Sequence, residues 1–124
     1  MGLMEISAVA RLDHERRDRT GVPEVVFAAG KTLEQNVALV RGLYERAGFA
    51  LATRVPAEQR LALAEALPGA VLEPLSGALR LGRLPRTGQR VAVVCAGTSD
   101  LPVAEEAAFA LEAFGHDPVR ATDV

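Results

Sequence analysis

Gly97-Thr98-Ser99-Asp100 stands between a run of apolar residues, Val91 to Cys95, and a stretch with helical periodicity. In such a turn the backbone N–H groups of Gly97, Thr98 and Ser99 could hold a phosphate. The Ser99 hydroxyl could add a donor, and Asp100 could accept from a ribose or position a polar substrate. Open α/β sheets bind ligands at turns of this kind. The same residues also read as plain structure, with Gly97 turning the chain and Asp100 capping the helix. No G-x-G-x-x-G occurs, which disfavours a standard dinucleotide site. Asp100 also opposes an anion at that helix end.

Other residues offer less. Gly30-Lys31-Thr32 has the ending of a phosphate-binding loop, but the earlier glycine falls at Val25, so that motif fails. Lys31 could still hold an anion at a strand-to-helix junction; it also reads as a solvated lysine beside a capped helix. Asp13, His14, Glu15, Arg16, Arg17, Asp18 and Arg19 have the composition of a solvated loop. Their functional reading puts Arg16 or Arg19 on a carboxylate or phosphate, oriented by Asp13 or Glu24. Cys95 reads as a small core residue, since no base or positive field is identifiable beside it. His14 and His116 have no cysteine partner at ligand spacing, so no metal site is indicated.

The elements that must position these residues follow from the apolar pattern. Ile6 to Leu12 and Val25 to Phe27 predict two strands, able to pair as a hairpin across the charged loop. Thr32 and Gln35 have capping-box spacing at the start of a helix that Gly48 ends, with Leu33, Val37, Val40 and Tyr44 as its apolar face. Phe49 to Val55 predicts a strand, and Pro56 to Leu67 a helix with Leu61, Leu63, Ala64 and Leu67 near one face. Ala70 to Glu73 and Ala78 to Leu81 predict short strands. Val91 to Cys95, Val-rich and unbroken, predicts a strand buried on both faces of a parallel sheet. The helix that follows has Asp100 as N-cap, Pro102 in its first turn and a stripe at Val103, Ala107, Ala110, Leu111 and Phe114. Pro118 to Thr122 predicts a last strand.

The expected fold class is therefore α/β. A small N-terminal α/β domain of pattern ββαβαββ spans residues 1–82, and 83–89 is a linker. Residues 90–124 form a single β-α-β unit opening a second parallel sheet, a right-handed crossover that cannot bury its sheet alone. The chain has 124 residues, 14 Lys and Arg against 16 Asp and Glu, and a net charge of −2. No basic patch or aromatic series points to nucleic acid. One cysteine excludes an internal disulfide, and a reducing cytoplasm is expected. No signal peptide is expected, and no apolar run approaches the ~20 residues that cross a bilayer.

Arg11 to Thr32 (RLDHERRDRTGVPEVVFAAGKT) and Val91 to Val124 (VAVVCAGTSDLPVAEEAAFALEAFGHDPVRATDV) together resemble the LarB family of nickel-pincer cofactor biosynthesis proteins, the pyridinium biscarboxylic acid mononucleotide synthases. The second stretch is also similar to the opening of PurE, the aminoimidazole ribonucleotide carboxylase or mutase. Its Ser-Asp pair matches Ser99-Asp100, while Gly97 replaces a PurE serine. The resemblance implies that residues 90–124 begin a PurE-like domain. It implies substrates, nicotinic acid adenine dinucleotide and CO2 or bicarbonate, with no tightly bound cofactor and magnesium as a candidate companion. The implied reaction carboxylates the pyridinium ring and cleaves the phosphoanhydride to release AMP, after a cysteine thiolate adds to the ring. Gly97, Thr98, Ser99 and Asp100 would contact ribose-phosphate. Asp13, Arg16, Arg19, Glu24 and Lys31 fall on the family's N-terminal motif without individual roles.

The family's nucleophilic cysteine lies beyond the position matching Val124, so Cys95 is not its equivalent, and the chain is expected to be a fragment inactive alone. A homo-oligomer is expected of the full-length form. Two other function classes stay open: a non-catalytic nucleotide-binding or oligomerisation module, and a purine-pathway carboxylase relative.

Overall fold

Val25-Val26-Phe27 is β-branched and aromatic, and it forms the first described strand, β1 (Val25–Phe27). The structure, a computed structural model, describes residues 24–122. The strand expected over Ile6–Leu12 and the loop carrying Asp13, Arg16 and Arg19 lie outside the described residues. After β1 come α1 (Leu33–Ala47), β2 (Ala50–Thr53), α2 (Arg60–Ala66), β3 (Val71–Glu73), β4 (Ala78–Leu81), β5 (Arg90–Cys95), α3 (Leu101–Ala113) and β6 (Asp117–Thr122). The fold class is α/β, as expected.

One sheet has the order β1-β2-β4-β3. β1 and β2 are parallel with Val26 beside Ala52, and the other neighbours are antiparallel. β5 and β6 form a second, parallel pair with Val93 beside Arg120. Strand alternation gives the larger sheet two apolar faces. Val26, Ala50, Ala52, Leu79 and Leu81 bury against Leu39, Val40 and Leu43 of α1 and Leu63 of α2. On the opposite face Phe49, Leu51 and Ala78 bury against Phe109 and Ala113 of α3. α3 is therefore shared, since it also covers β5 and β6. Arg120 fixes it to β6 through a two-bond contact with Glu105, Nε to Oε1 at 3.0 Å and Nη2 to Oε2 at 3.2 Å.

The structure corrects several expectations. The buried side of α3 runs through Ala108, Phe109 and Ala113, while Val103 and Ala107 of the expected stripe are exposed. On α1 the buried side is Asn36, Leu39, Val40 and Leu43, and Tyr44 is exposed. The rotation brings Asn36 inward, where its amide donates to Ala28 O (3.2 Å) and to Gln59 Oε1 (2.8 Å). A buried polar group with such partners sets the orientation of a helix that apolar counting alone misjudges. On the second helix Leu61 is exposed, and its first turn, Ala57–Gln59, is a 3-10 helix. β5 is not buried on both faces: Val94 is 64% exposed and Ala92 is exposed. α3 covers one side of the strand, and among the described residues nothing covers the other.

Residues 83–89 contain neither helix nor strand, yet they are tied along α3. Leu84 N–H donates to Ala113 O and Thr87 N–H to Gly115 O, each at 2.8 Å. Leu84 also joins the Phe49–Phe109 cluster.

The α1 capping box forms as its spacing predicts. The Thr32 hydroxyl accepts from Gln35 N–H at 3.1 Å, and the Gln35 side-chain oxygen accepts from Thr32 N–H at 3.0 Å. Thr32→Ala is expected to lower the unfolding free energy by about 1 kcal/mol, read from the midpoint of a urea titration. An unchanged midpoint would mean that the box contributes nothing net.

Candidate functional site

Ligand turns in α/β folds gather where parallel strands end, and the topology here collects several such ends on one side. β1 and β2 run together, joined past their last pairs by Ala28 N–H donating to Thr53 O at 2.9 Å. The loop after β3 meets the same end, with Val55 N–H donating to Gly77 O at 3.2 Å. α3 starts at the end of β5, and its first half meets the end of β2, where Arg54 Nε donates to Glu106 Oε2 at 3.1 Å. The turns after β1, β2, β3 and β5 thus share one end of the molecule.

The turn after β5 closes on itself. Asp100 N–H donates to Gly97 O (3.3 Å), and Thr98–Asp100 is a 3-10 turn running into α3. Ser99 and Asp100 are exposed. Asp100 occupies the expected cap position, but its backbone is already right-handed helical and its side chain makes no capping bond. The 3-10 turn removes the extended conformation that lets an Asp oxygen reach the helix N–H groups. Capping therefore does not account for Asp100. Gly97 is also not demanded by the fold: its φ lies outside the left-handed region, and a Cβ there would meet nothing within 4 Å.

The other predicted residues are dispersed. Lys31 follows β1, and its Nζ folds back to donate to Phe27 O, with the ammonium 6.0 Å from the Phe27 ring centre. Glu24 precedes β1, at the strand's opposite end from Lys31. Its side chain is buried, and Oε2 has no hydrogen-bond partner among the described residues. No hydrogen bond or ion pair joins Glu24 or Lys31 to Gly97–Asp100 among the described residues. Cys95 is 4% exposed, and its Sγ donates to Gly97 O at 3.1 Å. It braces the turn as a core residue, in keeping with its reading from the sequence. Among the described residues no cluster of His, Cys, Asp and Glu could hold a metal ion.

Sequence reasoning missed Arg54, Ser76 and Glu106. With Pro102 and Val103 they line a cavity of about 110 Å³ between the larger sheet and the first turns of α3. Arg54 has φ 57°, in the left-handed region that favours glycine. The expected strand ran to Val55 and placed Arg54 inside it, whereas β2 ends at Thr53; nothing local in the sequence marks the φ of Arg54 or its meeting with Glu106.

Beside the cavity, Glu73 accepts from Leu75 N–H (3.1 Å), Ser76 N–H (2.6 Å) and the Ser76 hydroxyl. Partial burial by itself raises the Glu73 pKa; the Ser76 and Leu75 hydrogen bonds and the Arg60 charge outweigh it, leaving the carboxyl below its ordinary 4.5. A depressed carboxyl contributes stability that is present above the unfolded value and lost as pH falls through the folded one. Glu73→Gln is therefore expected to flatten the stability profile below about pH 4.5, measured as urea midpoints of both proteins from pH 3 to pH 7. Parallel acid limbs would remove Glu73 from the acid response.

The family described as LarB/PurE-like N-terminal domain matches residues 4–83. An uncharacterized protein of Methanocaldococcus jannaschii is 33% identical over 132 aligned positions, which cover 97% of this chain and 50% of that protein. The chain thus spans about half the length of this curated relative. No helix among the described residues is long and apolar enough to cross a membrane.

Proposed function

The chain belongs to the LarB/PurE-like family, and from that premise we propose that it serves a cytoplasmic LarB-type synthase. The substrates are nicotinic acid adenine dinucleotide and CO2 or bicarbonate; the pyridinium ring is carboxylated and the phosphoanhydride hydrolysed to release AMP. Gly97, Thr98, Ser99 and Asp100 take the ribose-phosphate of that nucleotide. The observation that carries the reading is Gly97. Its conformation needs no glycine and its Cβ position is open, so the bare backbone suits close approach of a ligand. The start of the 13-residue α3 adds the favourable field of a helix N-terminus.

The chemistry also needs a thiolate, and Cys95 does not supply it. It is the only cysteine in the sequence, it is buried, and its Sγ is engaged by Gly97 O. A thiol in that position has neither the exposure nor the activating neighbour of a nucleophile. In this reading the reacting thiol is outside these residues, and no AMP is released when they alone are mixed with nicotinic acid adenine dinucleotide and bicarbonate. A protein spanning the relative's whole length releases it. AMP release by the 124 residues themselves overturns that assignment.

Gly97→Ala is expected to leave the unfolding free energy, from urea titration, within about 0.5 kcal/mol of the parent and to weaken dinucleotide binding about tenfold, which is 1.4 kcal/mol, by calorimetric titration. Unchanged binding in a folded Gly97→Ala protein rejects the turn as the ribose-phosphate site. Self-association of the full-length form belongs to the same reading, supported by the uncovered β5 face at Val94.

A further inference from the structure

The cavity at the junction of the larger sheet and α3 is lined by none of the residues of the Gly97–Asp100 turn. We propose that it binds a small planar oxyanion of carboxylate geometry on the guanidinium of Arg54. Its walls combine one cation, one hydroxyl-bearing residue and two apolar residues: Arg54, Ser76, Pro102 and Val103, with Glu106 beside the cation. Glu106 engages one nitrogen of Arg54, Nε. Among the described residues no partner is bonded to Nη1 or Nη2, so the fork formed by the two terminal nitrogens remains available. That fork matches the two oxygens of a carboxylate with parallel hydrogen bonds. The Nε contact orients the fork without occupying it.

The Arg54 backbone supports the assignment. A non-glycine residue at φ 57° carries a conformational cost of roughly 1–2 kcal/mol, and glycine would adopt it freely. The side chain is 54% exposed and packs into neither hydrophobic cluster. The cost is thus borne by a residue whose visible contribution is one surface ion pair, and such pairs contribute little to stability. A ligand role at the free fork accounts for an arginine here; packing does not. Glu106 sets a limit on the ligand: its charge lies beside the site and disfavours a dianion, so a monoanion fits. The volume suits a group of few heavy atoms, so of a larger molecule the cavity takes only the carboxylate-bearing end. Pro102 and Val103 supply an apolar wall for the flat side of the group.

Two sources carry this chemistry, dissolved bicarbonate and the ring carboxylate of a pyridine nucleotide. The inference goes beyond the nucleotide reading of Gly97–Asp100, and either can fail without the other.

The test follows the Val103 methyl and Ser76 amide NMR signals during titration with sodium bicarbonate, acetate or nicotinate. Ionic strength is held constant, and chloride is the comparison ion. Saturable shifts are expected with at least one carboxylate-type ion and not with chloride. Saturation by bicarbonate alone assigns the dissolved ion, and saturation by nicotinate assigns the ring carboxylate. Arg54→Gln is expected to weaken that binding at least tenfold, and Arg54→Lys, which keeps the charge but loses the fork, several-fold. Arg41→Gln, with its cation on α1, leaves it unchanged. Shifts that grow linearly with every ion, or saturable binding that Arg54→Gln does not alter, overturn the site. Gly97→Ala leaves oxyanion binding intact, so loss of the dinucleotide site and loss of this one are read separately.

Discussion

Gly115→Ala is expected to lower the unfolding free energy by on the order of 3 kcal/mol or more, a large share of what a domain of this size has. Two costs coincide at this residue. Its φ is +92°, which side chains rarely adopt, and an added Cβ would lie 2.0 Å from Pro85 O and 2.9 Å from Pro85 C. Both contacts are backbone, so neither can swing aside. The close approach exists because Thr87 N–H donates to Gly115 O and the 83–89 segment is drawn against the end of α3. Relieving the clash means releasing that segment.

Gly88→Ala is the internal comparison. Gly88 has φ +78° with nothing within 4 Å of its Cβ position, so it bears only the left-handed cost of about 1 kcal/mol. Urea midpoints of the two variants separate the close approach from the backbone conformation. Equal losses would show that residues 83–89 are not held against Gly115 in solution.

Leu51→Ala is expected to cost about 3 kcal/mol and to loosen α3 selectively. Leu51 is fully buried on the face of the larger sheet that α3 covers, in a cluster with Phe49, Ala78, Phe109 and Ala113. Removing its isobutyl group opens a cavity under the helix that begins at the Gly97–Asp100 turn and carries Glu106. Leu63→Ala is the matched control, equally buried but on the opposite face with α1. Both should lower the urea midpoint by a similar amount. Amide hydrogen exchange should quicken along Leu101–Ala113 in Leu51→Ala and along Arg60–Ala66 in Leu63→Ala. Equal protection of α3 in both variants would mean that the larger sheet does not hold it.

Element positions were largely legible because local chemistry places them. Thr32 and Gln35 satisfy one another's backbone N–H groups whatever packs nearby, and the capping box formed where its spacing put it. Gly48 and Gly115 ended helical stretches as expected, both at positive φ. Helix orientation was less legible. The expected apolar faces missed Asn36, because an amide turns inward only when Ala28 and Gln59 are there to receive it. They also misjudged α3, because a helix between two sheets has no single apolar stripe. The Gly97–Asp100 turn was visible as small polar residues after an apolar run. The Arg54–Glu106 site was not, since its residues are 52 positions apart and the left-handed φ of an arginine has no sequence mark.

By itself the sequence determined the α/β class, the order of the described elements and the small-residue turn after β5. Periodicity, caps and glycine stops act over a few residues and do not wait for the rest of the chain. Tertiary structure alone decided that α3 serves both sheets, that the ends of β1, β2, β3 and β5 gather on one side, and that Arg54 meets Glu106 over a cavity. Those outcomes depend on which apolar faces find one another, and burial between distant segments is a property of the assembled core rather than of any one stretch.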